Sequence, residues 1–435
     1  MQKEINKRRL FNASSLALVV TALSFAIRAN LLGELGTVFG LTPTEVGQTA
    51  SAAFWGFTIA MFAGGPLCDF IGMKNMYRIA FFGHMAGILL TIFATGFWTL
   101  FFSTLLIGLG NGFIEATSYS MVTGIYTDNK AKKINDWHIW FPAGIVIGGL
   151  AGYLLTSIGA SWKLQMLVMI PPTLVYGYMF YNQQFPQSER VAQGVSNKQM
   201  IRECSRPLFL FMVFCMFLTG ATELGTNQWI AELLAAVGVP SILLLVFING
   251  IMVLGRANAG FVLKRLSTPG LLFFSAVLSC AGLLWLGYAH GITAFAAAAV
   301  FAAGVCFFWP TMIGFVSENL PKTGPLGLSI MGGTGLLSTS LILPYFGQVY
   351  EWRIASKVNG EAATSFFKNA LSGTREALEW SSIKLAAGAE TLWYAAFLPA
   401  VLVIAFGILY FARYKHLTKA IKPSVSARKQ GFDGI

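Results

Sequence analysis

Several charged and amide side chains interrupt long apolar stretches of this 435-residue chain. A charged group at the centre of a bilayer costs at least about 2.5–3.5 kcal/mol, so each needs a structural or functional reason. The most informative is Glu115, which follows a glycine-rich stretch of an apolar segment. Because burial in hydrocarbon favours a neutral carboxyl group, this side chain can take up and release a proton. We predict that Glu115 is a proton-coupling residue; the alternative is a structural partner for a cation such as Arg28.

Other polar residues in apolar segments form a candidate binding set for a small polar molecule. Carboxylates and amides hydrogen-bond to hydroxyl groups, and an indole ring stacks on the apolar face of a sugar. For each tryptophan, anchoring at the membrane interface is an alternative, and for Glu223 and Gln228 the alternative is hydrogen bonding between helices. The predicted binding residues are Arg28, Asn30, Asn111, His138, Glu223, Asn227, Gln228, Trp229, Asn249 and Trp309.

Arg28 leaves the charge of that molecule open. A guanidinium is a fixed cation, and its planar fork matches a carboxylate. Arg28 therefore either binds an anionic substrate or pairs with Glu115 or Glu223. The sequence favours neither reading over the other.

The elements that carry these residues are membrane helices. Hydrophobic residues make up 55% of the chain and charged residues 11%, whereas a soluble domain carries about 25% charged residues. This excludes an ordinary soluble enzyme. Runs long enough to span a bilayer predict twelve helices near 11–33, 46–68, 76–96, 98–126, 138–158, 162–181, 206–235, 240–262, 269–289, 292–317, 326–350 and 390–413. The first is predicted to be retained, since no small-residue cleavage site follows it.

The distribution of basic residues predicts the orientation of the chain. The net charge is +12, and Lys and Arg concentrate in the loops that an even number of spans puts on one side, so both termini are predicted to be cytoplasmic. We interpret the charge this way and not as nucleic-acid binding. The predicted divisions are a six-helix bundle over 1–181, a cytoplasmic linker over 182–205, a second six-helix bundle over 206–422 with an external loop at 351–389, and a cytoplasmic tail over 423–435.

An internal repeat supports the division into two bundles. The segment from Gly110 to Thr117 in the fourth span matches the segment from Gly304 to Thr311 in the tenth. Repeats in corresponding places of two halves are typical of transporters whose substrate site lies between the halves near the bilayer midplane. The matched positions include Glu115 and Trp309.

A loop motif follows the second span. The residues from Gly65 to Asn75 resemble the G-x-x-x-D-R-x-G-R-R signature of the major facilitator superfamily, although Phe70 and Asn75 replace two of its basic residues. The resemblance implies an all-α polytopic fold of two six-helix bundles. It also implies a gate on the cytoplasmic face, made of Gly65, Asp69, Gly72 and Lys74, with Arg256 in the corresponding part of the second half.

Two further resemblances concern the substrate. The stretch from Gly110 to Glu115 and the start of the fifth span, from Asn135 to Gly144, resemble the fucose–galactose–glucose:proton symporters, which implies proton-coupled sugar import with Glu115 in the helix-four carboxylate position. That family has an acid in helix one that this chain lacks. Instead, Arg28-Ala-Asn30 resembles the R-x-N of the anion:cation symporters, which implies a sugar acid or another carboxylate.

The sequence therefore predicts a monomeric secondary transporter in a cell membrane, which is the inner membrane if the source is bacterial. Its predicted partners are the lipid bilayer, a proton and a sugar, or alternatively an organic anion bound by Arg28; an exporter of drugs or metabolites is a weaker alternative. No cofactor, metal site or nucleic acid is expected. Four histidines without metal spacing and the lack of an ATP-binding loop argue against an enzyme or an ATP-driven pump.

Overall fold

A computed structural model describes residues 5–126, 130–186, 197–233, 242–258, 261–262, 265–289, 291–358 and 374–429. Within these ranges the side chains of a few residues, including Asp69 and residues 413–429, are not described. The described backbone is helical and contains no β-strand. This is the all-α architecture that the apolar runs predict.

Every predicted span has a helical counterpart among the described residues. The helices, numbered in chain order, are α1 Lys7–Val38, α2 Pro43–Ile71, α3 Met73–Ile92, α4 Phe97–Ile125, α5 Lys130–His138, α6 Trp140–Ser157, α7 Trp162–Leu167, α8 Ile170–Phe180, α9 Asn197–Cys204, α10 Pro207–Gly220, α11 Thr226–Leu233, α12 Ile242–Ala257, α13 Thr268–Leu286, α14 Thr293–Val305, α15 Phe308–Asn319, α16 Gly324–Val358 and α17 Arg375–Lys429. Nine helical stretches of the described chain are long and apolar enough to cross a membrane, and α12 is a shorter apolar helix.

Three of the predicted spans are irregular. The sixth divides into α7 and α8, and the tenth divides into α14 and α15. In the seventh, a π-helical turn, Ala221–Gly225, joins α10 to α11. Uninterrupted apolar runs do not reveal such irregularities, because hydrophobicity measures only the length and polarity of a segment.

Local signals account for the boundaries of α2. Thr42 and Glu45 form a capping box, in which each side chain accepts a hydrogen bond from the other residue's backbone N–H, and Pro43 occupies the first turn. At the other end, Gly72 has a φ of +80°, which glycine adopts without strain. This allows the chain to turn directly into α3, so Gly72 of the predicted gate motif is a helix terminator.

The segments outside the predicted spans are more helical than expected. Helix α16 continues to Val358 and α17 begins at Arg375, so the predicted external loop at 351–389 is helical over much of its length; residues 359–373 lie outside the described residues. Helix α17 also continues to Lys429, into the predicted tail. At 1.5 Å per residue, both helices are longer than a bilayer is thick. The turns added at these ends contain polar residues, so a search for apolar runs does not detect them as helix.

A cluster of charged side chains joins these two extensions. Glu390 of α17 forms ion pairs with Arg353 and with Lys357 of α16, the latter at 2.8 Å. The pairs are partly exposed, so each contributes modestly to stability. They nevertheless hold the projecting parts of α16 and α17 against each other.

Helices α2 and α16 bring the two halves of the chain together along their length. Near one end, the Thr44 hydroxyl donates to a Glu351 carboxylate oxygen at 2.6 Å. Near the other end, a β-carbon on Gly65 would lie 3.4 Å from the Ser329 hydroxyl. A small residue at Gly65 therefore permits close approach of α2 and α16.

Glycine also sets the spacing of α2 and α4 in the first half. A β-carbon on Gly108 would lie 1.9 Å from the backbone oxygen of Ala53, and one on Gly56 would lie 2.1 Å from that of Leu105. Backbone atoms cannot retreat as a flexible side chain can. The helices must therefore separate if either glycine gains a side chain.

We predict that Gly108→Ala destabilises the protein by about 1–3 kcal/mol, the usual consequence of overpacking. The matched control is Gly250→Ala in α12, where an added β-carbon meets nothing within 4 Å. Thermal unfolding of the purified protein should show a lower melting temperature for Gly108→Ala and no decrease for Gly250→Ala. Equal melting temperatures would contradict the close α2–α4 contact.

Candidate functional site

A central cavity of about 360 Å³ lies between the two halves of the chain. Each half contributes five residues to its wall. They are Phe25, Phe57, Glu115, His138 and Phe141 from the first half, and Glu223, Leu224, Arg256, Trp309 and Leu336 from the second. Glu115 and Trp309, which the internal repeat matches, thus line the same cavity.

An ion pair forms the polar wall on the side of the second half. A terminal guanidinium nitrogen of Arg256 lies 3.2 Å from Glu223 Oε1, and the two side chains are only 8% and 4% exposed. Glu223 lies in the π-helical turn between α10 and α11. Such turns occur frequently at functional sites, because the extra residue changes the direction of the side chains around it.

Pro310 explains how Arg256 is oriented. Proline has no backbone N–H, so Pro310 of α15 cannot donate a helical hydrogen bond to the carbonyl of Cys306, which lies four residues earlier in the turn between α14 and α15. Arg256 supplies the missing donor, since its Nε donates to the Cys306 oxygen at 3.0 Å. The break between α14 and α15 therefore fixes one edge of the guanidinium, and the other edge faces Glu223.

A second polar group belongs to the first half. The hydroxyl of Tyr119 donates to Glu115 Oε1 at 3.0 Å and is also hydrogen-bonded to His138 Nε2. The same imidazole nitrogen lies 3.8 Å from the Glu115 oxygen. The predicted proton-coupling carboxylate thus contacts two groups that can exchange protons. All three side chains are largely buried.

Arg28 lies outside the wall of this cavity. Its Nε donates to Gln228 Oε1 at 3.0 Å, and the Gln228 amide donates to the Phe25 oxygen at 3.3 Å. The guanidinium carbon lies 5.2 Å from the centre of the Phe25 ring, which does line the cavity. The structure therefore brings Arg28 and Gln228 together across the two halves, and neither pairs with Glu115 or Glu223 among the described contacts.

Asn111 lies in a buried hydrogen-bonded chain inside the first half. Its Oδ1 accepts a hydrogen bond from His84 Nε2 at 2.9 Å, and its Nδ2 donates to the Ser24 hydroxyl at 3.1 Å. The other nitrogen of His84 contacts the Tyr176 hydroxyl at 2.9 Å. Asn111 does not line the central cavity, so its observed contacts are between helices.

Two other predicted amides are also satisfied by their own surroundings. Asn30 donates to Thr156 and Gln165 at 3.1 and 2.8 Å, which ties α1 to α6 and α7. Asn249 donates to the Leu245 carbonyl of its own helix at 2.9 Å. Neither lines the central cavity. A single sequence does not distinguish an amide that faces a neighbouring helix from one that faces a ligand.

The remaining predicted ligands lie on α11. The Trp229 indole donates to the Leu343 carbonyl at 3.2 Å and is buried against α16. Asn227 is also buried, and its Oδ1 has no hydrogen-bond partner among the described residues. Only Glu223 of the predicted group on the seventh span lines the central cavity.

The predicted gate residues are separated in the structure. Gly65 faces α16, Gly72 ends α2, and Lys74 is exposed on α3. The side chain of Asp69 lies outside the described residues. Arg256, which the motif assigned to the gate, lies instead in the wall of the central cavity, because Glu223 and the Cys306 carbonyl both attract it there.

Several residues in the cavity wall, and one that contacts it, were not predicted from the sequence. Tyr119 follows Glu115 by four residues, the spacing of neighbours on one helix face, so periodicity provides a signal for it. The aromatic wall has no such signal, because Phe25, Phe57 and Phe141 resemble the other phenylalanines of apolar helices. No group of three or more potential metal ligands occurs among the described residues.

We predict that Arg256→Gln destabilises the protein by about 3–5 kcal/mol, since it leaves Glu223 without its counter-charge. The double variant Arg256→Gln/Glu223→Gln removes both charges and should recover most of that loss. Melting temperatures of the wild type, both single variants and the double variant form a double-mutant cycle. Additive effects would show that the two side chains do not interact.

Comparisons with known proteins are consistent with this architecture. The chain is 28% identical over 199 residues to a D-galactonate transporter of Escherichia coli O6:H1, an alignment covering 39% of the chain and 44% of that protein. It is 24% identical over 181 residues to a probable chloroplastic anion transporter 6 of Arabidopsis thaliana, covering 41% and 32%. The matches thus span less than half the length of these relatives.

Solved structures share the fold across nearly the whole chain. A bacterial homologue of the human lysosomal transporter Spinster, in an inward-facing and occupied conformation, has a TM-score of 0.73 at 12% identity. The xylose transporter XylE of E. coli, in a partially occluded inward-open conformation, has a TM-score of 0.71 at 12% identity. Each of these alignments covers 93% of this chain and 97% of the other chain. The E. coli fucose:proton symporter FucP has a TM-score of 0.62 at 15% identity, covering 92% and 98%.

The sequence profile of the Major Facilitator Superfamily matches residues 14–344. That range contains every residue of the central cavity and both halves of the internal repeat. The chain therefore belongs to the Major Facilitator Superfamily, and its long apolar helices are those of a multi-pass membrane protein.

Proposed function

We propose that this protein imports a monosaccharide together with a proton by alternating access. The observation that carries the proposal is the central cavity, where buried acids, an arginine and an imidazole from both halves face an indole and three phenylalanine rings. We further propose that both termini are cytoplasmic, that the residues before and after the 182–205 linker act as two bodies, and that the protein works as a monomer in a cell membrane.

The composition of the cavity suits a sugar. Small-molecule sites are mostly apolar concavities with a few polar groups that fix orientation, and this cavity has an aromatic and aliphatic wall with four polar side chains, Glu115, His138, Glu223 and Arg256. Glu223, Arg256 and His138 offer acceptors and donors to hydroxyl groups, while Trp309 offers a stacking surface. The sugar:proton symporters among the similar folds support the same substrate class.

The charges of the cavity support coupling to a proton. Glu223 is neutralised by Arg256, whereas Glu115 has hydrogen bonds from Tyr119 but no arginine or lysine partner among the described contacts. An ionised Glu115 would give the closed cavity an uncompensated charge, which is costly away from water. Protonation of Glu115 therefore lowers the free energy of closing the cavity over a substrate.

Alternating access requires the contacts between the halves to open at one end at a time. The Thr44–Glu351 hydrogen bond lies at the end remote from the linker, and the Gly65–Ser329 approach lies at the end near it. We propose that Gly65, Gly72, Lys74 and Asp69 form the gate at the linker end. A small residue at Gly65 lets α2 and α16 close there and slide as the halves rock.

We expect Glu115→Gln to abolish sugar uptake driven by a pH gradient in proteoliposomes, because a permanently neutral side chain carries no proton. Sugar counterflow, which exchanges internal for external sugar without a proton gradient, should persist. Tyr119→Phe is the matched control for packing around Glu115 and should retain proton-driven uptake more fully. Gradient-driven uptake that survives Glu115→Gln would contradict the coupling role.

A second candidate is the symport of a sugar acid, which two observations favour. Arg256 supplies a cation in the wall of the cavity, and the sequence relatives are named as a galactonate transporter and a probable anion transporter. Protonation of Glu223 would free the guanidinium for a substrate carboxylate. In this version Arg256, and not Arg28, is the carboxylate partner in the central cavity.

The variant Arg256→Gln/Glu223→Gln separates the two substrates, because it keeps the cavity electrically balanced while removing the cation. We expect it to weaken binding of an aldonate at least about tenfold, as loss of a charge-assisted hydrogen bond predicts, and to change binding of the parent neutral sugar much less. Binding of galactose and galactonate to purified protein would be measured by calorimetry. Binding of the aldonate alone by wild type would establish the second candidate over the first.

A further inference from the structure

Arg28 is a buried cation without a matching anion. Its side chain is 8% exposed, and no residue in the described ranges forms a hydrogen bond with its Nη2 atom. Among the described residues it forms no ion pair; its one polar partner is the neutral Gln228 amide, and its other neighbours are the rings of Phe25 and Phe54. A buried guanidinium with an unsatisfied N–H group is costly.

A separate cavity adjoins Arg28 inside the first half. It lies between α1, α2, α3, α4, α7 and the residue that precedes α8. None of its lining residues lines the central cavity. Its wall is apolar except for the guanidinium of Arg28 and four hydroxyl groups, which belong to Ser24, Thr49, Thr91 and Thr104.

The chemistry of this second cavity matches a small anion. The guanidinium supplies a full positive charge. The hydroxyls of Ser24, Thr49 and Thr91 donate to backbone carbonyls of their own helices in this conformation, so the guanidinium is the main donor, and a hydroxyl that rotates can add a second one. The lining that the structure describes contains no carboxylate to compete for the cation. The leucine and methionine wall leaves few polar groups for a sugar hydroxyl, so the site is poorly suited to a polyhydroxylated substrate.

We propose that this cavity binds a small monovalent inorganic anion of the chloride type, held by Nη2 of Arg28. The anion supplies the charge that Arg28 lacks. It also holds the guanidinium in the orientation in which Nε reaches Gln228 of the other half. Anion binding therefore stabilises the conformation in which α1 and α11 are in contact, independently of which substrate the central cavity takes.

The test uses purified full-length protein in detergent without substrate, so that its outcome does not depend on the proposed transport function. Chloride replaces methanesulfonate at constant cation and ionic strength. We expect a saturable increase in melting temperature of about 2 °C, the size that ligand linkage gives at concentrations well above the dissociation constant. Arg28→Gln should abolish this increase, and Lys163→Gln, which removes an exposed cation of α7, should retain it.

Binding of radiolabelled chloride to the wild type gives a measurement that does not depend on a variant folding. Bromide should displace the label and methanesulfonate should not. Absence of saturable chloride binding, or an undiminished chloride effect in folded Arg28→Gln, would overturn the proposal. Displacement of the label by galactonate but not by bromide would also overturn it, since the site would then belong to an organic acid.

Discussion

The ion pair between Arg256 and Glu223 is the interaction on which the central cavity depends. In hydrocarbon every backbone polar group must find a partner within the protein, and a charge needs a counter-charge as well. Two irregularities of the backbone meet these requirements together. The π-helical turn carries Glu223, and Pro310 frees the Cys306 carbonyl that receives Arg256. With a residue other than proline at position 310, a regular helix would occupy the Cys306 carbonyl with a backbone N–H.

These irregularities also separate the features that the sequence could predict from those that it could not. Apolar length predicted the helices, and the internal repeat predicted that Glu115 and Trp309 occupy equivalent positions, both of which line the cavity. The position of Arg256 in the cavity wall was not predicted, because proximity to a degenerate loop motif suggested the gate. Its Nε donates to the carbonyl of Cys306, which is fifty residues away in the sequence. That carbonyl is available because Pro310, in a different helix from Arg256, has no N–H to donate to it.

The amide residues show a second limit of the same kind. Asn30, Asn111 and Asn249 resemble ligands in the sequence, since each interrupts an apolar segment. In the structure their hydrogen bonds run to other helices or to their own backbone. A polar group in a membrane helix needs a partner, but hydropathy does not indicate whether that partner is a neighbouring helix or a bound molecule. Only the rotation of each helix against its neighbours decides this.

The distribution of charge over the two halves bears on how they separate. Among the side chains that the structure describes, the ion pairs stay within one half: Arg256 pairs with Glu223, and Glu390 pairs with Arg353 and Lys357. The described hydrogen bonds that cross between the halves include Arg28–Gln228 and Thr44–Glu351, each of which has a neutral member. Breaking a buried ion pair costs about 3–5 kcal/mol, whereas a hydrogen bond contributes about 0.5–3 kcal/mol. The interface between the halves contains small residues and hydrogen bonds in which one partner is neutral. It can therefore open without leaving two opposite charges unpaired in the membrane.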